Sequence, residues 1–184
     1  MPRPPLARER VLDAFESIVI AEGERTATLD ATAKAAGVSK GGLLYHFGSK
    51  DELEAGLLQR LEALTLADLE RMRAAPEGPV VYYVRTSVME DDALDRALIA
   101  ASRLAQGGSA AAGDMLRHTR RLWEDEIRPH VRDIASLDLV MLLSDGLYFN
   151  NSLDLNGPER LVPRDGELDE LIALVLRVTA PAAS

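Results

Sequence analysis

The chain has 184 residues, a formal net charge of −9 and no cysteine, so disulfides, thiol nucleophiles and thiolate metal sites are excluded. Aromatic residues make up only 4% and the apolar content is mostly Ala, Leu and Val, which favours an all-helical protein. The sequence has no unbroken apolar run long enough to span a membrane. Its N-terminal MPRPPLARER lacks the apolar stretch of an export signal, so a cytoplasmic protein is expected.

Pro4 and Pro5 precede a first helix expected over residues 6–22, with Val11, Ala14, Phe15 and Ile18 as its buried stripe and Gly23 at its end. Thr28 is placed to cap a second, short helix that has Asp30 in its first turn. Ala33, Ala35 and Ala36 keep that helix slim, and Gly37 follows where a positive φ is wanted. Val38 can plug the space between two helices, and Ser39 caps a third helix expected over 40–47. The stretch TLDATAKAAGVSKGGLLYHFGSKDEL, from Thr28 to Leu53, therefore reads as a helix-turn-helix, which places its second helix in the DNA major groove. Ser49 and Glu52 are expected as a capping box for a fourth helix, which Leu53, Leu57, Leu61 and Leu64 continue to about residue 72.

Residues 74–79 (AAPEGP) break the pattern. Helices are then expected over 80–89 and 92–105, the latter with Leu94, Leu98, Ala101 and Leu104/Ala105 on one face. Glu90, Asp91 and Asp92 read as a solvated helix-start cluster rather than a cation site. After a GGS loop at 107–109, a helix over 113–127 carries Leu116, Trp123 and Ile127 on one side, and Pro129 ends it. The markedly apolar stretch 137–153 suggests a buried or interface helix. A loop over 155–166 leads to a last helix at 167–179 with Leu168, Leu171, Ile172, Val175 and Val178 on one stripe. The expectation is an all-α chain of about nine helices: an N-terminal three-helix DNA-binding head over residues 1–50, and a helical ligand-binding and dimerisation body over 51–184 joined to it by the long fourth helix.

Charge follows the same division. Residues 1–50 hold seven Lys/Arg against six Asp/Glu, and residues 51–184 hold fourteen against twenty-four. The chain's three lysines, Lys34, Lys40 and Lys50, all fall in the helix-turn-helix stretch. A locally basic head on an acidic body suits a protein that meets DNA through the head.

Each DNA-facing residue has its own physical case. Thr28 and Ser39 cap helices whose N-termini can face phosphate. Lys40, Gly41 and Gly42 open the recognition helix, the end that approaches base edges, and Lys40 can donate to guanine O6 and N7. Two glycines cost about 1 kcal/mol each in a helix; they mark either close backbone approach to DNA or a tolerated, frayed start. Leu44 and Phe47 are assigned to the core.

The run AAGVSKGGLLYHFGSKDEL, after a first helix ending at Gly23, closely resembles the tetracycline-repressor (TetR) family of bacterial regulators across roughly residues 8–60. Beyond that the likeness is one of layout only. The resemblance implies a homodimer on a palindromic double-stranded operator and a small-molecule effector pocket in the body. It implies phosphate contacts from Tyr45, His46 and Lys50. Thr32 departs from the family pattern, which usually has a bulky aliphatic residue there.

The last two long helices are the expected dimer contact, through Gly146, Leu168, Leu171, Ile172 and Val175. The effector pocket is expected among helices four to eight, from Tyr82, Tyr83, Arg85, Met89, Met115, His118, Trp123, Met141, Phe149 and Asn150. Arg85, if buried, needs an anion, either a protein carboxylate or a carboxylated ligand. No catalytic residue, metal or cofactor is expected. His46, His118 and His130 lack metal-ligand spacing, and neither a G-x-S-x-G nor a glycine-rich phosphate loop is present. The competing readings are an effector-independent or architectural DNA-binding protein, and a helical enzyme with an unrecognised site.

Overall fold

The computed structural model describes residues 5–88, 92–153 and 161–181. Among these the chain forms nine α-helices and one 3₁₀ turn, with no strand: α1 (Pro5–Glu22), α2 (Leu29–Ala36), α3 (Lys40–His46), α4 (Lys50–Ala74), α5 (Pro79–Thr86), α6 (Ala93–Gln106), α7 (Ala110–Ile127), the 3₁₀ turn Arg128–His130, α8 (Ile134–Leu153) and α9 (Asp165–Thr179). Met89, Glu90, Asp91 and the first half of the loop expected over 155–166 lie outside the described residues.

The helices pack into two compact units. The first holds residues up to Thr65 together with Asp92–Thr119; the second holds Leu66–Asp91 and Arg120 onward. The first unit thus takes α6 and the start of α7 along with the head helices. It is built on Val11, Leu12, Phe15 and Val19 of α1, Leu43 of α3, Phe47, and Leu53, Leu57 and Leu61 of α4. The expected stripe of α6 is rotated. Ala97, Ala100, Ala101 and Leu104 are fully buried, while Leu94 and Leu98 are only partly so. Three alanines and Leu104 make up the buried line of α6, which packs against α1.

A charged clasp backs this packing. Glu16 of α1 is buried and accepts from Arg60 of α4 at 3.3 Å and from Arg96 of α6 at 2.9 Å. Arg60 also reaches Glu9 at 2.7 Å and Asp13 at 2.8 Å.

In the second unit, Leu69 and Met72 of α4, Val80, Val81, Tyr83 and Val84 of α5, Leu137, Val140, Met141 and Leu147 of α8, and Leu168, Ile172 and Val175 of α9 form one core. This corrects the expected dimer contact. Leu168, Ile172 and Val175 are 3–6% exposed and Leu171 packs on the same cluster, so that stripe faces the chain's own α5 and α8. Among the described side chains, the large apolar ones that these two helices leave outside are Ile134, Leu139, Leu142 and Phe149 on α8 and Leu174, Leu176 and Val178 on α9. Gly146 lies on this side, with open space where a Cβ would be.

Asp92 caps α6 through a reciprocal capping box with Asp95, so this part of the acidic cluster orders a helix start. No helix of the described residues is long and apolar enough to cross a membrane. The same residues contain no group of three or more His, Asp or Glu arranged to hold a metal ion.

Candidate nucleic-acid interface

The geometry of α2 and α3 is fixed by local hydrogen bonds. Thr28, in extended conformation, accepts from the Ala31 N–H at 3.2 Å and starts α2. Gly37 closes it at φ +66°, the left-handed region where a Cβ is penalised. The Gly37 N–H donates to Lys34 O at 3.2 Å and the Val38 N–H to Ala33 O at 3.0 Å, the two bonds of a Schellman motif. Ser39 then accepts from the Gly42 N–H at 3.0 Å and starts α3. At the other end Phe47 leaves the helix in extended conformation and drives its ring into the core.

The start of α4 differs from the expected capping box. Ser49 does accept from the Glu52 N–H, at 3.1 Å. The Glu52 carboxylate, however, accepts from the Gly48 N–H at 2.8 Å rather than from Ser49. The α3–α4 turn is tight enough that the nearest orphan N–H is one residue earlier. Gly56, one turn further along α4, was not singled out by sequence pattern. A Cβ there would lie 2.8 Å from Phe47 Cε1 and 3.1 Å from Leu12 Cδ2, so α4 touches the Phe47 ring through bare backbone.

A helix turns 100° per residue, so Gly41 and Tyr45 point away from the fully buried Leu43, while Leu44 and Lys40 stand on the flank between them. The observed exposures agree: Lys40, Gly41, Leu44 and Tyr45 are exposed, with Tyr45 at 82%. Leu44 is therefore not a core residue, a second correction. Leu43 takes the inward direction, and its neighbour cannot share it. A Cβ at Gly41 meets nothing within 4 Å, whereas one at Gly42 would lie 3.2 Å from Ser39 Oγ. Gly42 is thus accounted for by its own cap; Gly41 has no internal reason to lack a side chain. His46 is half-buried and packs edge-to-face on Tyr45, ring centroids 5.1 Å apart.

Two of the three lysines are held by carboxylates. Lys40 lies 3.1 Å from Asp30, across the turn from α3 to α2. Lys50 pairs with Glu24 and also donates to its carbonyl oxygen at 2.7 Å. Sequence reading found the lysines but not these partners, because the pairs join residues ten and twenty-six positions apart. Arg8 adds a cation over the Phe47 ring, 5.0 Å from its centroid.

The expected effector-pocket residues do not all come together. Met115 and His118 lie in the first unit, where His118 is 3.7 Å from Glu62. Tyr82, Tyr83, Arg85, Trp123, Met141, Phe149 and Asn150 lie in the second. Met89 is outside the described residues. Arg85 is exposed and pairs with Asp169 at 2.9 Å, so the argument for a buried cation awaiting a carboxylated ligand falls. Asn150 donates to Gly146 O at 2.7 Å, and Phe149 is 62% exposed.

The residue that organises the polar part of the second unit is Asp68, which sequence reading missed. It is buried and accepts from the Tyr82 hydroxyl at 2.7 Å, Trp123 Nε1 at 3.1 Å and Arg71 at 3.3 Å. Tyr83 packs on Trp123, centroids 5.6 Å apart, and burial pushes its hydroxyl pKa far above the ordinary tyrosine value. A separate open groove of about 480 Å³ lies in the first unit, lined by Arg10, Asp13, Ser17, Ile18 and Glu22 of α1 and Ala35 and Ala36 of α2, with small residues between. It contains none of the expected pocket residues.

Residues 11–55 match the model of the bacterial regulatory proteins of the tetR family. The HTH-type transcriptional regulator SrpR of Pseudomonas putida is 42% identical over 60 residues, which is 32% of this chain and 28% of that protein. The chain spans less than half the length of the curated relatives it matches. A transcriptional regulator from Rhodococcus sp. Rha1 superposes with a TM-score of 0.69 at 22% identity, covering 94% of this chain and 97% of that one. SmeT, solved as a complex with triclosan, superposes with a TM-score of 0.66 at 18% identity over 96% of this chain and 93% of that one. These structural likenesses establish the fold along nearly the whole chain, whereas the family match covers residues 11–55.

Proposed function

We propose that the chain is a cytoplasmic transcriptional regulator of the tetR family, whose model its residues 11–55 match: a homodimeric repressor that binds a palindromic operator and leaves it when a small molecule binds the body. The observation that supports this best is the outward face of α3. Lys40, Gly41, Leu44 and Tyr45 stand exposed on a short helix whose start is held by the Ser39 cap and whose back is anchored by Leu43. A helix so held is a rigid probe for the major groove. Lys50 and Tyr45 supply phosphate contacts in this reading, Thr28, Ser39 and His46 flank them, and Lys40 reaches a base edge. The functional boundary lies at Lys50, with the DNA-binding domain before it and the ligand-binding and dimerisation domain after it.

The dimer forms through the outer faces of α8 and α9. Leu142 at 64% and Phe149 at 62% exposure, with Gly146 between them, make an apolar strip that a second copy of the chain covers. Two helices from each copy then form a four-helix contact. The effector enters among the aromatic side chains of the second unit. The triclosan complex of SmeT, a protein of the same fold, favours this reading over an effector-independent regulator. α4 is the continuous segment from Lys50 to the second unit and serves as the lever.

The test is DNA binding by the full chain against ionic strength. A palindromic duplex selected from a random library is titrated at several salt concentrations, and log K falls by about 0.9 for each phosphate neutralised. Binding that ignores salt, or no preference over random DNA, removes the proposal. An effector then shifts Trp123 fluorescence and weakens operator binding by a coupling of about 1–3 kcal/mol.

A further inference from the structure

Among the described residues of the first unit, the large apolar side chains left exposed are Leu44 and Tyr45. They are neighbours on one face of α3. Tyr45 has a hydroxyl to offer water or phosphate, but Leu44, 40% exposed, has nothing polar. Its neighbour on that face, Gly41, has only open space where a Cβ would stand. The face is therefore shaped as an apolar tip beside a stretch of bare backbone.

Base-pair edges in the major groove present one bulky apolar group, the C5-methyl of thymine; cytosine offers only a C5 hydrogen at that place, and the remaining features are hydrogen-bond donors and acceptors. A leucine placed against a polar edge would desolvate it without giving a partner back, at a cost. Against a methyl it gains contact at no such cost. We propose that Leu44 is a specificity-determining residue, reading a thymine methyl group in each operator half-site, with Gly41 letting the base edge reach the α3 backbone. This rests on the DNA-binding reading above and names the base that one side chain of that site selects.

The test separates the two. The full chain selects its own duplex from a random library, and each thymine is then replaced singly by deoxyuridine, which removes only the methyl. Wild type loses affinity at one thymine per half-site, by about fourfold for a buried methyl-sized contact. Leu44→Ala binds the parent duplex more weakly by a similar or larger factor and no longer distinguishes thymine from deoxyuridine at that position. Leu44→Met, which keeps an apolar tip, retains the distinction. Circular-dichroism melts confirm that the variants fold, as expected for an exposed position. A wild-type protein indifferent to every deoxyuridine, or a Leu44→Ala protein with undiminished deoxyuridine sensitivity, overturns the inference while leaving DNA binding intact. Failure of wild type to select any duplex overturns the DNA-binding reading itself.

Discussion

Lys50 and Glu24 are joined twice. The Lys50 ammonium donates to the Glu24 carbonyl oxygen at 2.7 Å and pairs with the carboxylate of the same residue, tying the first residue of α4 to the loop after α1. The family resemblance assigns this lysine to phosphate, and the structure gives it a scaffold task as well. The two are separable. Glu24→Gln removes the competing charge and is expected to tighten DNA binding, whereas Lys50→Ala lowers the salt slope by about 0.9 per site. A Lys50→Ala protein that melts earlier yet keeps its salt slope assigns the lysine to the scaffold alone.

Gly56 lets α4 pass against Phe47 and Leu12 through bare backbone. Gly56→Ala gains helix propensity but forces a methyl to 2.8 Å from a buried ring. Overpacking of this kind costs about 1–3 kcal/mol, more than the propensity gain of about 1 kcal/mol. Denaturant melts should show net destabilisation, and because Phe47 closes α3, operator affinity should fall with it.

Thr32 is fully buried and its hydroxyl has no hydrogen-bond partner. An unmet buried hydroxyl carries a penalty of about 1–3 kcal/mol. Thr32→Val keeps the shape and removes the polar atom, so the variant should be more stable than the parent by about 1 kcal/mol, read as a higher denaturation midpoint at unchanged slope. An unchanged or lowered midpoint would show that the hydroxyl finds a partner in solution.

Self-association separates the two sides of α8 and α9. Leu142→Glu, on the exposed strip, should give a monomer by sedimentation while the fold survives. Ile172→Ala, on the inward stripe, should cost about 2–5 kcal/mol of stability with the native state still dimeric. A Leu142→Glu protein that remains dimeric moves the contact elsewhere.

Much of this was legible in the order of residues. The helix-turn-helix could be read because its determinants are local: a hydroxyl at Thr28 and Ser39, a left-handed Gly37 and leucines at helical spacing act within four residues of themselves. The all-helical class follows for the same reason, since helix caps and periodicity need no distant partner. What failed were particular judgements about which way an apolar side chain looks, at Leu44 and on α9, whereas the stripes expected on α1 and α4 do face inward. Leu44 and Leu43 are adjacent and identical, yet only one direction leads to the core. Leu168, Ile172 and Val175 form a good stripe, but a stripe does not say whether it meets its own chain or another. Asp68 was invisible because two of its three donors, Tyr82 and Trp123, come from other helices.

By itself, then, the sequence determined the helices, their caps and the recognition turn, since these are set by short-range hydrogen bonds and by backbone conformations available to particular residues. The tertiary structure alone decided which apolar face is buried, which lysine is already paired and which aromatic tips are spent on Asp68. Those depend on groups far apart in the chain, and they are settled only when packing chooses one set of neighbours and excludes the rest.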